Sequence, residues 1–483
     1  MATEQSSQDI FQAPQSVEPE LPTEGALEPA LTIEGYEPPP QTPSDELPPP
    51  PGASGFNKRI IIVIILSLLI LGGMAWFISR MVKSDTPEGS VTMTYWGLWE
   101  EEAVIKPIID EYKRAHPNVT IEYKLQSLIQ YRERLAAALE RGEGPDIFRF
   151  HNTWVPMLRS VLAPVPQDVL SPAQIQDTYY PVVQRDLYVN NKFYGIPLEI
   201  DGLVLYYNKD LLTEKGVSTP RTWNEFEEAA QALTVKDGFG AITTAGAAMG
   251  TAENVEHFSD ILGLLLFQNG TDFSLLTSDP AEQALTYYTL FAQPPNNVWD
   301  AQQDNSIVAF AGGKVAFMFA PSWQVFAIES LNPSLHYGVA GVPQLPGATP
   351  VSWATYWVEG VSAKSIHQNE AFAFLQYISS KETLAKLYTE ISKTRKFGEP
   401  YPRLDMAGEL STHEQLGPVI VQAPQMRSWY LASRTQDNGI NDKIINYFKD
   451  AVNAVEKGSS PRGALDTAAR GVEQVLKEYG LNK

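Results

Sequence analysis

Residues Ile60 to Ser79, IIIVIILSLLILGGMAWFIS, pass twenty positions without a charged side chain. As a helix such a run spans about 30 Å, the thickness of a bilayer's hydrocarbon core. The run is long for the apolar part of a cleaved secretory signal, no small-x-small site follows it, and a long segment precedes it. An uncleaved transmembrane anchor is therefore expected over 58–83. Lys58 and Arg59 stand before the run and Arg80 and Lys83 behind it, so flanking charge does not set the orientation. Orientation has to come from what each side carries.

The side before the run, residues 1–57, holds no Lys or Arg, ten Asp or Glu and twelve prolines. Such a composition buries too little apolar surface to offset the entropy of ordering, so a disordered, partly polyproline II tail is expected. Its EPPPQTP and LPPPP stretches could dock a proline-recognising module, but an acidic spacer is the favoured reading because disorder alone explains the composition. The tail supplies ten of the negative charges behind a net charge of −21, which leaves the remainder mildly acidic. With no basic stripe, nucleic acid is not an expected partner. The chain has no cysteine. That excludes disulfides, thiolate metal sites, thiol nucleophiles and the residue on which an extracytoplasmic protein could carry a lipid anchor.

After a short linker over 84–90, strands alternate with amphipathic helices. VTMTYW (91–96), VTIEYK (119–124) and PDIFRF (145–150) read as strands. Between them, Val104, Ile108, Ile109 and Tyr112 share one helical face, with Pro107 delaying or kinking the helix, and Leu128, Tyr131, Leu135 and Leu139 share another that ends near Gly142. The alternation predicts an α/β fold with a parallel, doubly wound sheet, whose ligands bind beyond the carboxyl ends of the strands. Trp96, Trp99 and Glu100 close the first of these strands, and Asn152 closes the third.

Enzyme signatures are missing from the text. The six histidines have no metal spacing, HEQLG lacks the second histidine of a zinc helix, FAGGKV lacks two parts of a phosphate loop, and no G-x-S-x-G elbow occurs. A pair of carboxylates could still hydrolyse a glycoside, because that chemistry needs geometry and no fixed spacing.

From about residue 91 onward the order of VTMTYWGLWE, GEGPDIF, YGIPLEIDGLVLYYNKDLLTEKGVSTPRTWNEF, GKVAFMFAPSW and VSAKSIHQNEAFAFLQYISSKETLAKLY resembles the family 1 extracellular solute-binding proteins, the sugar-type, maltose-binding-protein-like receptors of ABC importers. The resemblance implies a two-lobe periplasmic-binding-protein-like fold of type II over 91–483. Lobe 1 would take about 91–199 and 341–395, and lobe 2 about 202–338 and 400–483. It implies a monomer with no cofactor, no metal and no catalytic residue. The partners it implies are a mono- or oligosaccharide and the permease subunits of an importer. With the anchor at 60–79, the tail would be cytoplasmic and the binding domain extracytoplasmic.

The first lobe-to-lobe crossing implied by the family falls at Glu199–Gly202, so Gly202 would relieve the backbone at a bend and Asp201 would face the cleft, where a carboxylate suits vicinal hydroxyls. A second crossing would fall near 336–347, making Gly338 a hinge candidate. Sugar faces need flat apolar surfaces. The resemblance puts ligand contacts at Asn152, Trp323 and the Trp429–Tyr430 region, while Trp353 and Trp357 join the candidates although their surroundings depart from the glycine-rich family text. The helix that follows, capped near Thr222 or Asn224, should leave Trp223 in packing. Other readings are a tethered sugar sensor or adhesin without transport, a glycan-acting hydrolase, a glycerol-phosphate receptor, or an iron receptor using Tyr206 and Tyr207.

Overall fold

The structure is a computed structural model and describes residues 89–481. The tail, the apolar run Ile60–Ser79 and most of the linker lie outside the described residues. Among those described, no helix is long and apolar enough to cross a membrane.

The strands run in chain order as β1 (Val91–Leu98), β2 (Val119–Gln126), β3 (Ile147–His151), β4 (Tyr188–Val189), β5 (Lys192–Phe193), β6 (Ile196–Pro197) and β7 (Leu203–Asn208). They continue as β8 (Val235–Lys236), β9 (Ile242–Ala247), β10 (Val315–Pro321), β11 (Tyr337–Ala340), β12 (Ser352–Trp353), β13 (Trp357–Val361) and β14 (Met426–Arg427). One five-stranded sheet has the order β2-β1-β3-β13-β6 and another the order β11-β7-β10-β9-β8. Each sheet is the spine of one lobe of a two-lobe α/β fold.

Local text explains the elements. The helix Glu102–Ala115 buries Val104, Ile105, Ile108, Ile109 and Tyr112. It starts five residues before Pro107 and carries that proline inside, where the expectation was a late start or a kink. Gly142 takes φ +75° and closes the helix Tyr131–Arg141, as a left-handed glycine cap does. Thr222 caps the helix Trp223–Leu233 reciprocally: its Oγ1 accepts from the Glu225 amide at 3.3 Å while Glu225 Oε2 accepts from the Thr222 amide at 3.3 Å. Trp223 is buried and its Nε1 donates to Gln268 Oε1 at 2.5 Å, a packing role. The stretch AFAFLQYISSKETLAKLY forms two helices, Gln368–Ile378 and Lys381–Ile391. Ser380 divides them because its Oγ accepts the Thr383 amide at 3.3 Å and starts a new helix.

The sheets are mixed rather than purely parallel. In the first, β1 is parallel to β2 and β3, but β13 is antiparallel to β3 and β6. In the second, β7 is antiparallel to β10 and β11. Strands β7 and β13 are the ones that arrive from the other sheet, so they enter from the end opposite to strands fed by local helices.

The chain crosses from the first sheet to the second between β6 and β7, and back between β11 and β13. A third passage follows the helix Lys381–Ile391. These passages lie side by side: the Ile200 amide donates to Pro400 O at 3.0 Å, and the Thr355 amide donates to Asp201 O at 2.9 Å. Gly202 forms a bridge with Ala354. A Cβ at Gly202 would sit 1.8 Å from Trp353 O. Its φ is not among the positive ones. The glycine is therefore required by close approach and not by the backbone freedom at a bend that the sequence suggested. Gly202→Ala is expected to cost about 3 kcal/mol, the upper end for overpacking, read as a fall in the urea midpoint; an unchanged midpoint would refute the close approach. Gly338 is no crossing residue in this structure. It lies within β11 opposite Tyr207, whose ring comes within 2.3 Å of where its Cβ would be.

Candidate functional site

A cleft of about 260 Å³ opens where the crossings meet the two sheets. From the first-sheet side come Trp99, Leu128, His151 and Trp357; from the second come Pro321, Trp323 and Phe326; the crossings supply Glu199, Asp201, Thr355, Arg395 and Glu399; and one polar loop supplies Ser433 to Gln436.

The aromatic groups form two facing surfaces. Trp99 follows β1 directly, is 46% exposed, and meets Trp357 edge to face at 4.9 Å. Trp357 opens β13 and is fixed by edge contacts to Trp154 at 5.1 Å and His151 at 5.2 Å. Across the cleft, Trp323 follows β10, is 36% exposed, and abuts the buried His257 at 5.6 Å. Phe326, one turn on, carries the Arg395 guanidinium 5.2 Å over its ring.

The floor is acidic. Asp201 is 4% exposed; its Oδ1 accepts from the Gly202 amide at 2.7 Å and the Ser322 amide at 3.2 Å, and its Oδ2 accepts from Ser322 Oγ at 2.9 Å. Three of about four acceptor positions are thus filled, which leaves one on Oδ2. Burial pushes this carboxyl up to about 7 against the pull of those three bonds. Glu199 is raised well above the carboxylate range, first by burial and then by repulsion from Glu399, with which it shares a hydrogen bond. For Glu399 burial works upward, but Arg395 and the bond from Glu199 outweigh it and hold it low. The opposed shifts favour a single shared proton, held on the Glu199 side. Glu199 Oε1 also accepts the Trp357 amide at 2.8 Å and so ties the first crossing to an aromatic wall.

Beneath the floor, Arg149 is buried between two carboxylates, with Nη1 2.8 Å from Glu100 Oε2 and Nε 2.7 Å from Glu359 Oε1. Burial holds His151 at about 3, so it is neutral; its ring nitrogens meet Thr153 Oγ1 at 2.8 Å and Thr355 Oγ1 at 3.0 Å.

Backbone strain gathers at the same place. Of the seven non-glycine residues with positive φ among the described residues, Trp99 (66°), Arg434 (63°) and Gln436 (49°) line the cleft. Such conformations persist where the surroundings over-determine them, commonly at ligand sites. Here Asp437 is the anchor: its carboxylate accepts the Gly439 amide at 2.9 Å and the Asn441 and Asp442 amides at 3.1 Å. Arg132 Nε, from the first lobe, donates to Asp437 O at 2.8 Å. Thr435 Oγ1 is buried in the wall without a hydrogen-bond partner among the described residues.

Comparison with known proteins adds the lineage. The family profile described as bacterial extracellular solute-binding protein matches residues 97–385, more than half of the chain. The chain belongs to that family. A multiple sugar-binding protein of Streptococcus mutans serotype c is 24% identical over 328 residues, which cover 64% of this chain and 76% of the relative. Among solved structures, the sugar-binding protein MalE from Xanthomonas citri superposes with a TM-score of 0.66 at 20% identity, covering 80% of this chain and 98% of that one. The cyclic alpha-maltosyl-1,6-maltose binding protein from Arthrobacter globiformis gives 0.66 at 21% identity, covering 81% and 100%. At these identities the structures establish the two-lobe fold. The family makes the chain a binding protein and not an enzyme.

In this solute-binding protein the fold brings four of the residues singled out from sequence to the cleft: Trp99, Asp201, Trp323 and Trp357. The others lie elsewhere. Trp96 is half-buried within β1, paired with Phe148. Glu100 is buried against Arg149. Asn152 is buried, with Nδ2 donating to Asp186 Oδ2 at 2.8 Å and Oδ1 accepting the Tyr356 amide at 3.3 Å. Trp353 is 0% exposed and donates from Nε1 to Asp260 Oδ1 at 2.7 Å. Trp429 and Tyr430 line a separate groove of about 830 Å³ beside the helix Pro461–Glu478, where Trp429 packs on Phe273 at 4.2 Å. Arg149 is below the cleft and Arg427 lies over Phe267, whereas Arg434 does line it.

The sequence reading passed over His151, Thr355, Phe326, Arg395, Glu399 and, around Arg434, the loop residues Ser433, Thr435 and Gln436 as cleft residues. The loop had a usable signal, since SRTQDNG is a polar run ending in Asn-Gly between apolar segments.

Proposed function

We propose that the protein captures a carbohydrate between its two lobes, the first built on the sheet β2-β1-β3-β13-β6 and the second on the sheet β11-β7-β10-β9-β8, and presents it to the permease of an ABC importer. What supports this most is the pair of half-exposed tryptophan surfaces, Trp99 with Trp357 and Trp323 opposite, set across buried carboxyls. Exposed indoles cost solvation unless a flat apolar face covers them, and the C–H faces of a pyranose do so while its hydroxyls reach Asp201 and the Ser433–Gln436 loop. Relatives named for sugar binding lend the same direction.

Closure of the lobes on the sugar follows if ligand contacts to both walls exist only in the closed form. The apolar run Ile60–Ser79 would hold the receptor at the outer face of the membrane, with the acidic tail inside, and raise its concentration near a permease.

Calorimetric titration of the full chain, in a detergent without a sugar headgroup, against a panel of mono- and oligosaccharides tests the reading. Micromolar binding to one class is expected, with Trp323→Ala weakening it about tenfold or more and Trp429→Ala leaving it unchanged. Silence across the panel, or release of cleaved glycan, would count against it.

A further inference from the structure

Both arginines among the residues lining the cleft are already spoken for. Arg434 Nη1 is paired with Glu256 Oε1. Glu256 is itself held from behind: Asn305 Nδ2 donates to its Oε2 at 2.6 Å, and its amide donates to Ser306 Oγ at 3.0 Å. Arg395 is paired with Glu399, with Glu100 Oε1 a further 3.7 Å away. Facing the same space are the carboxyls of Glu199, Asp201 and Glu399. Among the described residues the cleft thus offers acceptors and hydroxyls freely but no uncommitted cation.

We propose that the cleft selects uncharged or amine-bearing sugars and rejects carboxylated and phosphorylated ones, and that Glu256, standing outside the cleft, sets this choice by occupying Arg434. The inference rests on the carbohydrate reading above and narrows it to a charge class. An anionic sugar would have to shed water beside the Glu399 carboxylate and the part-ionised Asp201 with no free cation to meet it, a cost that no hydroxyl contact offsets. An amine on the sugar meets the reverse situation. Discrimination of this kind works by repulsion and by withholding a partner, not by adding contacts to the favoured ligand. Glu256 is the specificity-determining residue because Arg434 is the half-exposed guanidinium on the strained loop, able to reach the ligand once released.

The test compares, on the full chain by calorimetry, the neutral saccharide that binds most tightly in the panel with its C6-carboxylate and its C2-amine. The carboxylate is expected to bind at least tenfold more weakly than the neutral sugar, and the amine at least as tightly. Glu256→Gln is expected to raise affinity for the carboxylate at least tenfold, with the neutral sugar within threefold as the control for folding, and the gain should shrink as salt rises. Adding Arg434→Gln to that variant should remove the gain. Equal binding of carboxylate and neutral sugar by the parent protein, or no gain in Glu256→Gln, overturns the selection while leaving the carbohydrate reading standing. If no saccharide binds at all, the carbohydrate reading fails and the selection falls with it.

Discussion

Arg149→Ala is expected to lower the unfolding free energy of the two-lobe domain by about 3–5 kcal/mol, more than any surface ion-pair deletion in the molecule. The guanidinium is 2.8 Å from Glu100 and 2.7 Å from Glu359, and all three groups are buried. Removing it strands two carboxylates in a low-dielectric interior, so the cost is the uncompensated charge and not the lost pair alone. The three residues sit after β1, in β3 and in β13, so the damage falls on the middle of the first sheet. Triple replacement by apolar residues of similar volume should recover most of the loss, as replacement of whole buried ion networks can. Urea unfolding measures both. A loss under about 1 kcal/mol for Arg149→Ala would mean that the cluster is hydrated and behaves as a surface network.

Asp201→Ala is expected to abolish measurable carbohydrate binding, a loss of at least a hundredfold, because it removes the carboxyl at the floor and leaves Ser322 and the Gly202 amide without their acceptor. Asp201→Asn gives the finer result through pH. The folded carboxyl titrates at about 7 and its ordinary value is 3.8, so between those values the native state holds a proton that the unfolded chain has lost. Where the native state binds more protons, stability falls as pH rises; the contribution of Asp201 therefore declines from about pH 4 to about pH 7 and is level above. Binding runs the opposite way. A sugar hydroxyl donates best to the ionised form, so affinity should climb from pH 6 to pH 8, with proton release on binding. In Asp201→Asn both slopes should flatten. A binding profile that is already flat in the parent protein would show that Asp201 keeps one protonation state throughout.

The alternation of strands with amphipathic helices was readable because each buried face repeats at its own period, as Val104, Ile108, Ile109 and Tyr112 show. The antiparallel entry of β7 and β13 was not, because it depends on where the chain returns from and leaves no mark in local text. Trp353 and Trp357 show the limit at the site. They stand four residues apart in one segment, yet one is sealed in the core against Asp260 and the other forms a cleft wall, because the second crossing ends between them. Trp429 and Tyr430 were attractive as aromatics, while the polar residues just after them reach the cleft. That placement is set by Asp437 gathering three amides, a loop geometry that residue types alone do not specify. The pairing of Glu199 with Glu399 joins residues two hundred positions apart and becomes visible only in three dimensions.

The adjacency of the three crossings bears on mechanics. Ile200 bonded to Pro400 on one side and Asp201 to Thr355 on the other make a narrow ribbon, one peptide thick and three chains wide. A ribbon of that shape is compliant to bending about its width and stiff to shear and twist, since shear would break the cross-bonds while bending leaves them intact. Any relative movement of the lobes is therefore funnelled into one rotation. In the proposed closure Trp323 would then meet Trp99 and Trp357 along a single arc, and the register of the two walls would need no search.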